Sequence, residues 1–277
     1  PTLNRASHAL SFGLMSALLG KTLNRARVKH GLAPVTATGA HVLGAGPVLS
    51  GFDPELAPVP RDWREVLAGG AWFLDDSAAL PGDLAQFLDD GEPPVYVGFG
   101  SMPLADRARL TRTVVDAVAL AGVRAVVSRG WGGLGDDDVS LPSERVFVAG
   151  SVPHGALFPR VRCVVHHGGA GTTQTAARAG VPQVLVPHGF DQPYWALRAH
   201  AVGLAPKALS TSFSARALAD AIDASVRLHH SARAFAERMR GRDGAAAAVR
   251  ALTAHAAAET ARVLGSTPWT CAPSPMA

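Results

Sequence analysis

The chain has 277 residues, 48% of them apolar and 17% charged, a balance that excludes intrinsic disorder, which requires low hydrophobicity and high charge. The net charge is 26 − 22 = +4, and all the bases except Lys21, Lys29 and Lys207 are arginines. They are scattered, with one modest cluster at Arg233, Arg238, Arg240 and Arg242, and read as solvated helix faces and not as a nucleic-acid surface. No apolar run reaches the roughly 18–20 residues that span a bilayer. The two cysteines, Cys163 and Cys271, are far apart, which excludes a disulfide framework and a zinc spacing and makes a reducing cytosol the expected compartment.

The first residue is Pro1, and the chain is expected to begin inside something longer. Ala9–Gly20 has the length of a signal-peptide apolar region but lacks a small-x-small cleavage site, so Leu10–Val28 is expected to be a helix packed on a core. From Gly31 to Pro60 glycine and proline are too dense for long helices or central strands. One short strand is expected at Pro47–Ser50 and another at Ala71–Leu74. From Pro94 the pattern changes. Short apolar runs at Val95–Phe99, Val123–Ser128, Arg145–Ala149, Cys163–His166 and Val184–Pro187 read as strands, with a last one at Leu204–Leu209. Helices are expected at Leu104–Ala121, Gly171–Ala179, Gln192–Ala201, Ser214–Leu228, Ala232–Arg240 and Ala245–Leu264. Short apolar strands alternating with helices imply parallel βαβ units buried on both faces. The fold class is therefore α/β, a Rossmann-like doubly wound parallel sheet, with a separate piece before about residue 80 and a frayed tail from Ser266.

In such a sheet ligands sit beyond the carboxyl ends of the strands. The segments that follow the strands are Gly98-Phe99-Gly100-Ser101, Arg129-Gly130-Trp131-Gly132-Gly133, Gly150-Ser151-Val152-Pro153-His154, His166-His167-Gly168-Gly169-Ala170-Gly171-Thr172-Thr173 and His188-Gly189-Phe190-Asp191-Gln192. This one edge carries most of the glycine, histidine and hydroxyl residues. In the fourth segment small residues admit a ligand to the backbone N–H groups, and Thr172 and Thr173 stand where a helix begins, which favours an anion. That is diphosphate chemistry without the lysine of a P-loop and without the G-x-G-x-x-G spacing. A plain glycine turn with a threonine cap is the alternative. His166 and His167, adjacent in an extended segment, point to opposite faces and do not share a metal; one is expected inward and the other at the loop edge. Asp191 and Gln192 can hold sugar hydroxyls, or Asp191 can cap the helix that contains Pro193.

The run His166–Trp195, HHGGAGTTQTAARAGVPQVLVPHGFDQPYW, resembles the nucleotide-sugar signature of GT-B glycosyltransferases of the UDP-glucosyl/glucuronosyltransferase-like family, in its sterol and antibiotic-aglycone branch. GFGSM at Gly98–Met102, RGWGG at Arg129–Gly133 and VPHGALF at Val152–Phe158 fit the same family. The resemblance implies that His167, Gly168, Gly169, Gly171 and Thr172 meet the donor diphosphate, with Thr173 a second hydroxyl candidate. It implies that Asp191 and Gln192 hold the transferred sugar, that Val152 and His154 flank the base, that Ser101 lines the base or phosphate end, and that Trp131 closes the nucleotide pocket. Where the plant branch has a base-stacking tryptophan and a ribose-binding acid, this chain has Ser151 and Thr175, which leaves UDP and dTDP sugars both open.

By the same resemblance, residues 1–80 are a remnant of an acceptor-binding domain plus linker, 81–250 the donor-binding domain, and 251–277 the end of the C-terminal helix and the tail. The implied reaction is metal-independent, cofactor-free, inverting transfer of a hexosyl group to a hydroxyl of a lipophilic or natural-product acceptor, with the catalytic base in the acceptor domain. The partners are then a UDP- or dTDP-sugar and a sterol, lipid or polyketide/peptide aglycone, with peripheral membrane contact open if the acceptor is a lipid. A nucleotide-sugar epimerase and a non-catalytic nucleotide-sugar-binding module are the competing readings.

Overall fold

The structure, a computed structural model, describes residues 2–36, 48–60, 66–74, 78–102, 106–130, 132–135 and 144–265. It divides into a smaller unit, Pro1–Ser50 with Arg61–Leu67 and Ala248–Ala277, and a larger one, Gly51–Pro60 with Ala68–Ala247.

In the smaller unit the first helix, α1 (Thr2–Lys29), outruns the expected Leu10–Val28. Its C-terminus is closed by Leu32 N–H donating to Arg27 O and by Asn24, whose side chain exchanges hydrogen bonds with both backbone groups of Val35. The expectation that its apolar residues are packed on a core is corrected: Leu10, Leu14 and Leu18 are exposed. They share a face by their i, i+4, i+8 spacing, and that face has no cover among the described residues. Strands β1 (Val48–Ser50) and β2 (Val66–Ala68) pair with each other. The first was expected. The second replaces the strand expected at Ala71–Leu74, where the extended backbone keeps one hydrogen bond, Trp72 N–H to Gly51 O.

The larger unit is built on a parallel sheet of five strands, β3 (Val95–Gly98), β4 (Ala125–Ser128), β5 (Val146–Ala149), β6 (Cys163–His166) and β7 (Gln183–Leu185), in the order β5-β4-β3-β6-β7. Helices α2 (Gly82–Asp89), α3 (Arg107–Ala121), α4 (His154–Leu157), α5 (Ala170–Ala179), α6 (Gln192–Ala201), α7 (Ala215–Val226) and α8 (His229–Arg240) follow in chain order with a 3-10 turn at Phe158–Arg160, and α9 (Gly244–Gly265) begins in this unit and continues into residues of the smaller one. α2 and the short α4 were not foreseen in the sequence.

Side chains alternate across the sheet as the two-residue strand period requires. Val95, Val97, Val127 and Val165 face α3 and α7, packing against Val114, Val118, Leu218 and Ile222. Tyr96, Val126 and Val164 face the other way, toward Leu84, Leu88, Leu157, Phe158 and Ala176. With both faces buried, the strands carry the continuous apolar runs that made them legible. The run Leu204–Leu209 is not a strand. Its backbone meets the sheet only through Gln183 N–H to Leu204 O and Leu209 N–H to Leu185 O, with turns between. α3 starts at Arg107 because Asp106 caps it, accepting from Arg109 N–H. Residues 51–60 belong to this unit because of an ionic clamp. Buried Asp53 pairs with Arg242 at 2.9 Å, Glu55 pairs with Arg242 and, at 2.9 Å, with Arg238, and Arg198 donates to the carbonyls of Glu55 and Leu56.

Candidate functional site

The sheet order reverses direction between β3 and β6, and the crevice beyond the carboxyl ends of those two strands is where open α/β sheets bind ligands. Gly98 pairs in register with His166, so the segments Phe99–Ser101 and His167–Gly169 leave the sheet side by side.

His166 and His167 part as expected. His166 is fully buried: its Nδ1 accepts the Gly168 N–H at 3.1 Å and its Nε2 lies 2.9 Å from Gln183 Oε1. Accepting at Nδ1 fixes the proton on Nε2, which donates to Gln183. The Gln183 amide then donates to Thr173 O at 3.2 Å. Burial, more than any charge, pushes the His166 pKa down to about 3, although the Gln183 hydrogen bond opposes the shift. His166 is thus a neutral brace under the glycine loop. Gln183 did not stand out in the sequence, because its pairing with His166 spans 17 residues and no local signal marks it.

His167 turns to the crevice. A Cβ on Gly100 would stand 3.1 Å from its Cε1 and one on Gly169 2.6 Å from its Nε2, so both glycines let backbone approach the ring. Gly100 has φ +60°, a conformation that glycine adopts without strain. Among the described residues buried His167 Nδ1 and His188 Nε2 find no hydrogen-bond partner. Burial lowers the His167 pKa, His188 adds to the shift and Asp191 opposes it; the ring is therefore neutral near pH 7.

α5 begins beside that ring. Gly169 occupies its cap position with no side-chain cap, so the leading N–H groups of Ala170, Gly171 and Thr172 lack an intrahelical acceptor. Their position at the positive helix end favours an anion. The alternative of a threonine cap is thereby removed. Gly168 is buried with φ +89°, and a Cβ there would stand 3.2 Å from Leu185 and 3.3 Å from Gln192 O. Gly171 opens onto free space. Thr172 is partly exposed. Thr173 corrects its expected role: it is fully buried and its hydroxyl donates to Gly169 O at 2.9 Å, which turns it away from the crevice.

At the β7–α6 turn Asp191 is exposed and does not cap the helix; its Oδ2 accepts the Trp195 indole N–H at 2.8 Å. Gln192 also departs from expectation. It is 5% exposed, its Oε1 accepts from His188 N–H and Gly189 N–H at 2.7 and 3.2 Å, and its amide donates to Met102 Sδ. That side chain ties the loop together, so of the expected pair only Asp191 is exposed. Ser101 is exposed at the end of β3. Trp131 lies outside the described residues.

Next to the crevice lies a cavity of about 820 Å³. Trp72, Phe73 and Leu74 form one wall, Val152, Pro153 and His154 another, and Gly171, Gln174, Thr175 and Arg178 of α5 the floor. His154 is held by stacking on Phe158, with centroids 4.5 Å apart, and by Tyr96, whose hydroxyl is 3.0 Å from His154 Nε2. Burial lowers the His154 pKa and raises that of Tyr96, so both stay neutral. The Trp72–Leu74 wall was missed in the sequence, where these residues read as a strand. Among the described residues no group of three or more His, Cys, Asp or Glu is placed to hold a metal, and no helix is long and apolar enough to cross a membrane.

A Rossmann-type domain with an anion-favouring helix start, a neutral histidine and an exposed acid at its switch point is the class that fold and site define. Residues 113–255 match the family model described as erythromycin biosynthesis protein CIII-like, C-terminal domain, and the chain belongs to that family of GT-B glycosyltransferase domains. It is 38% identical over 210 residues to a sterol 3-beta-glucosyltransferase of Arabidopsis thaliana, covering 74% of this chain and 33% of the relative. It is 44% identical over 204 residues to the vancomycin aglycone glucosyltransferase of Amycolatopsis orientalis, covering 72% of this chain and 48% of the relative. The chain thus spans a third to a half of the length of these two relatives. Among solved structures, the glycotransferase of kitacinnamycin superposes over 87% of this chain and 62% of its own, with TM-score 0.64 at 19% identity, which establishes the shared fold.

Proposed function

We propose that the chain binds a nucleoside-diphosphate hexose, UDP- or dTDP-linked, and serves its transfer with inversion to a hydroxyl of a lipophilic acceptor such as a sterol or an antibiotic aglycone. The observation that carries this reading is the convergence of three groups at the switch-point crevice: the uncapped start of α5, His167 and the exposed Asp191 carboxylate. The diphosphate would lie on the α5 N–H groups and His167, the nucleoside in the cavity between Trp72 and His154, and the sugar against Asp191. Kinship to named sterol and vancomycin-aglycone glucosyltransferases supports the acceptor class.

In the transfer step the acceptor oxygen loses its proton to a base and attacks the anomeric carbon, while the bond from that carbon to the diphosphate oxygen breaks on the opposite face. The leaving diphosphate gains negative charge, and the fixed N–H groups of α5 with His167 stabilise it without reorganisation. No metal is needed for that role in this reading. The base belongs to an acceptor-binding domain, of which residues 1–80 would be the end; residues 81–250 would form the donor domain and 251–277 the close of the C-terminal helix and the tail.

Calorimetric titration with UDP-glucose and dTDP-glucose tests the reading. At least one should bind saturably, and His167→Ala should weaken it by about 1.5–3 kcal/mol, the scale of a charge-assisted hydrogen bond. An unchanged affinity in a folded variant would show that the phosphates lie elsewhere.

A further inference from the structure

Among the described residues Phe190 is the only one besides glycines with a positive φ, 56°, and its side chain is 95% exposed. A bulky residue in the left-handed region carries backbone strain that glycine would not. A ring that exposed makes almost no contact with its own domain, so packing does not offset the strain. The conformation persists because its flanks are held: Gln192 binds the N–H groups of His188 and Gly189, and Asp191 binds the indole of buried Trp195. Strain maintained in this way belongs to functional positions. Tyr194 and Leu197, four and seven residues on, are exposed too, so apolar surface continues along α6.

We infer that Phe190 is a specificity-determining residue for the acceptor: its ring packs against the apolar ring system of the aglycone whose hydroxyl receives the sugar held at Asp191. This rests on the function proposed above. The donor's phosphates, sugar and base present polar groups to the crevice and cavity, whereas Phe190 projects away from the domain toward whatever approaches it. That occupant must come within reach of the neighbouring Asp191 and must be apolar, which describes a lipophilic acceptor.

The test uses the full chain with UDP at saturation. Vancomycin aglycone is titrated by calorimetry and the fluorescent sterol dehydroergosterol by energy transfer, against wild type, Phe190→Ala, Phe190→Gly and Phe190→Trp; UDP-glucose is titrated separately. Wild type should bind at least one aglycone probe. Phe190→Ala and Phe190→Gly should weaken it roughly tenfold, and Phe190→Trp should stay within about threefold, as an apolar ring contact requires. UDP-glucose affinity should hold within about twofold throughout, and Phe190→Gly should melt about 3 °C higher as the strain is released. Binding of neither probe by wild type, or equal aglycone affinity in wild type and Phe190→Ala, overturns the inference. So does a fall in UDP-glucose affinity in the Ala variant, which would make Phe190 a sugar contact, or a concentration-dependent dimer that Phe190→Ala abolishes. Failure of wild type to bind UDP-glucose or dTDP-glucose would sink the donor reading itself, a separate outcome.

Discussion

Acid should loosen the glycine loop through His166. The side chain is fully buried, with Nδ1 accepting from Gly168 N–H and the Nε2 proton directed to Gln183. A second proton on Nδ1 would face the Gly168 N–H donor, so the folded state holds the ring neutral down to a pKa of about 3, while the unfolded ring titrates near its ordinary 6.5. A folded pKa below the unfolded one means that protons favour unfolding. Stability from this group is therefore complete above pH about 6.5 and falls as pH drops toward 3, by up to about 1.4 kcal/mol per unit. At pH 5 the loss is about 2 kcal/mol from His166 alone. Burial also lowers the pKa values of His154, His167, His188 and His229, so the total decline is steeper and the group must be isolated by difference. His166→Asn keeps an acceptor for Gly168 and does not titrate. Urea unfolding at pH 7.5, 6, 5 and 4.5 should give a lower starting stability for this variant but a slope shallower by close to one proton. Parallel slopes, or an NMR titration that finds His166 ionising above pH 5 in the folded protein, would refute the reasoning.

Arg242→Ala leaves fully buried Asp53 without its cation and should cost about 3 kcal/mol in urea unfolding, with early proteolytic cleavage within residues 51–60; wild-type resistance there would deny the clamp. Gly168→Ala places a Cβ 3.2 Å from Leu185 at φ +89°, and should lower stability by roughly 1–3 kcal/mol in thermal melts, so an unshifted melt contradicts the geometry. Cys163 is fully buried, and burial pushes its thiol up to about 12 against the Ser225 hydrogen bond. A Cys271→Ser chain should thus show no thiol reactive to an aromatic disulfide at pH 8 until it is denatured, and prompt labelling of the native protein would contradict that burial.

Much of the architecture of the larger unit was legible because burial on both faces writes a strand as an unbroken apolar run. Cys163–His166 is bounded as expected, and the other sheet strands fall within about two residues. The same signal misled at Leu204–Leu209 and Ala71–Leu74, since an apolar run does not state that backbones pair, and in the second run Trp72 and Leu74 are exposed. The stretch Leu204–Leu209 lies beside β7 with a hydrogen bond at each end. Ala71–Leu74 lines a cavity from a segment distant in sequence.

The sequence by itself determined the α/β class, the edge where the chemistry gathers, and the residue types available to it: glycines for close approach, a helix start for an anion, His167 and Asp191. Only the tertiary structure decided which side chains face outward. Thr173, Gln192 and Gln183 carry the same polar groups as a binding residue, yet each is buried and bonded within the loops. A buried polar atom must find a partner, and the partner is set by strands and turns meeting in space. The strain at Phe190 likewise has no signature in residue type, because a φ angle is a property of how the flanking bonds close the turn.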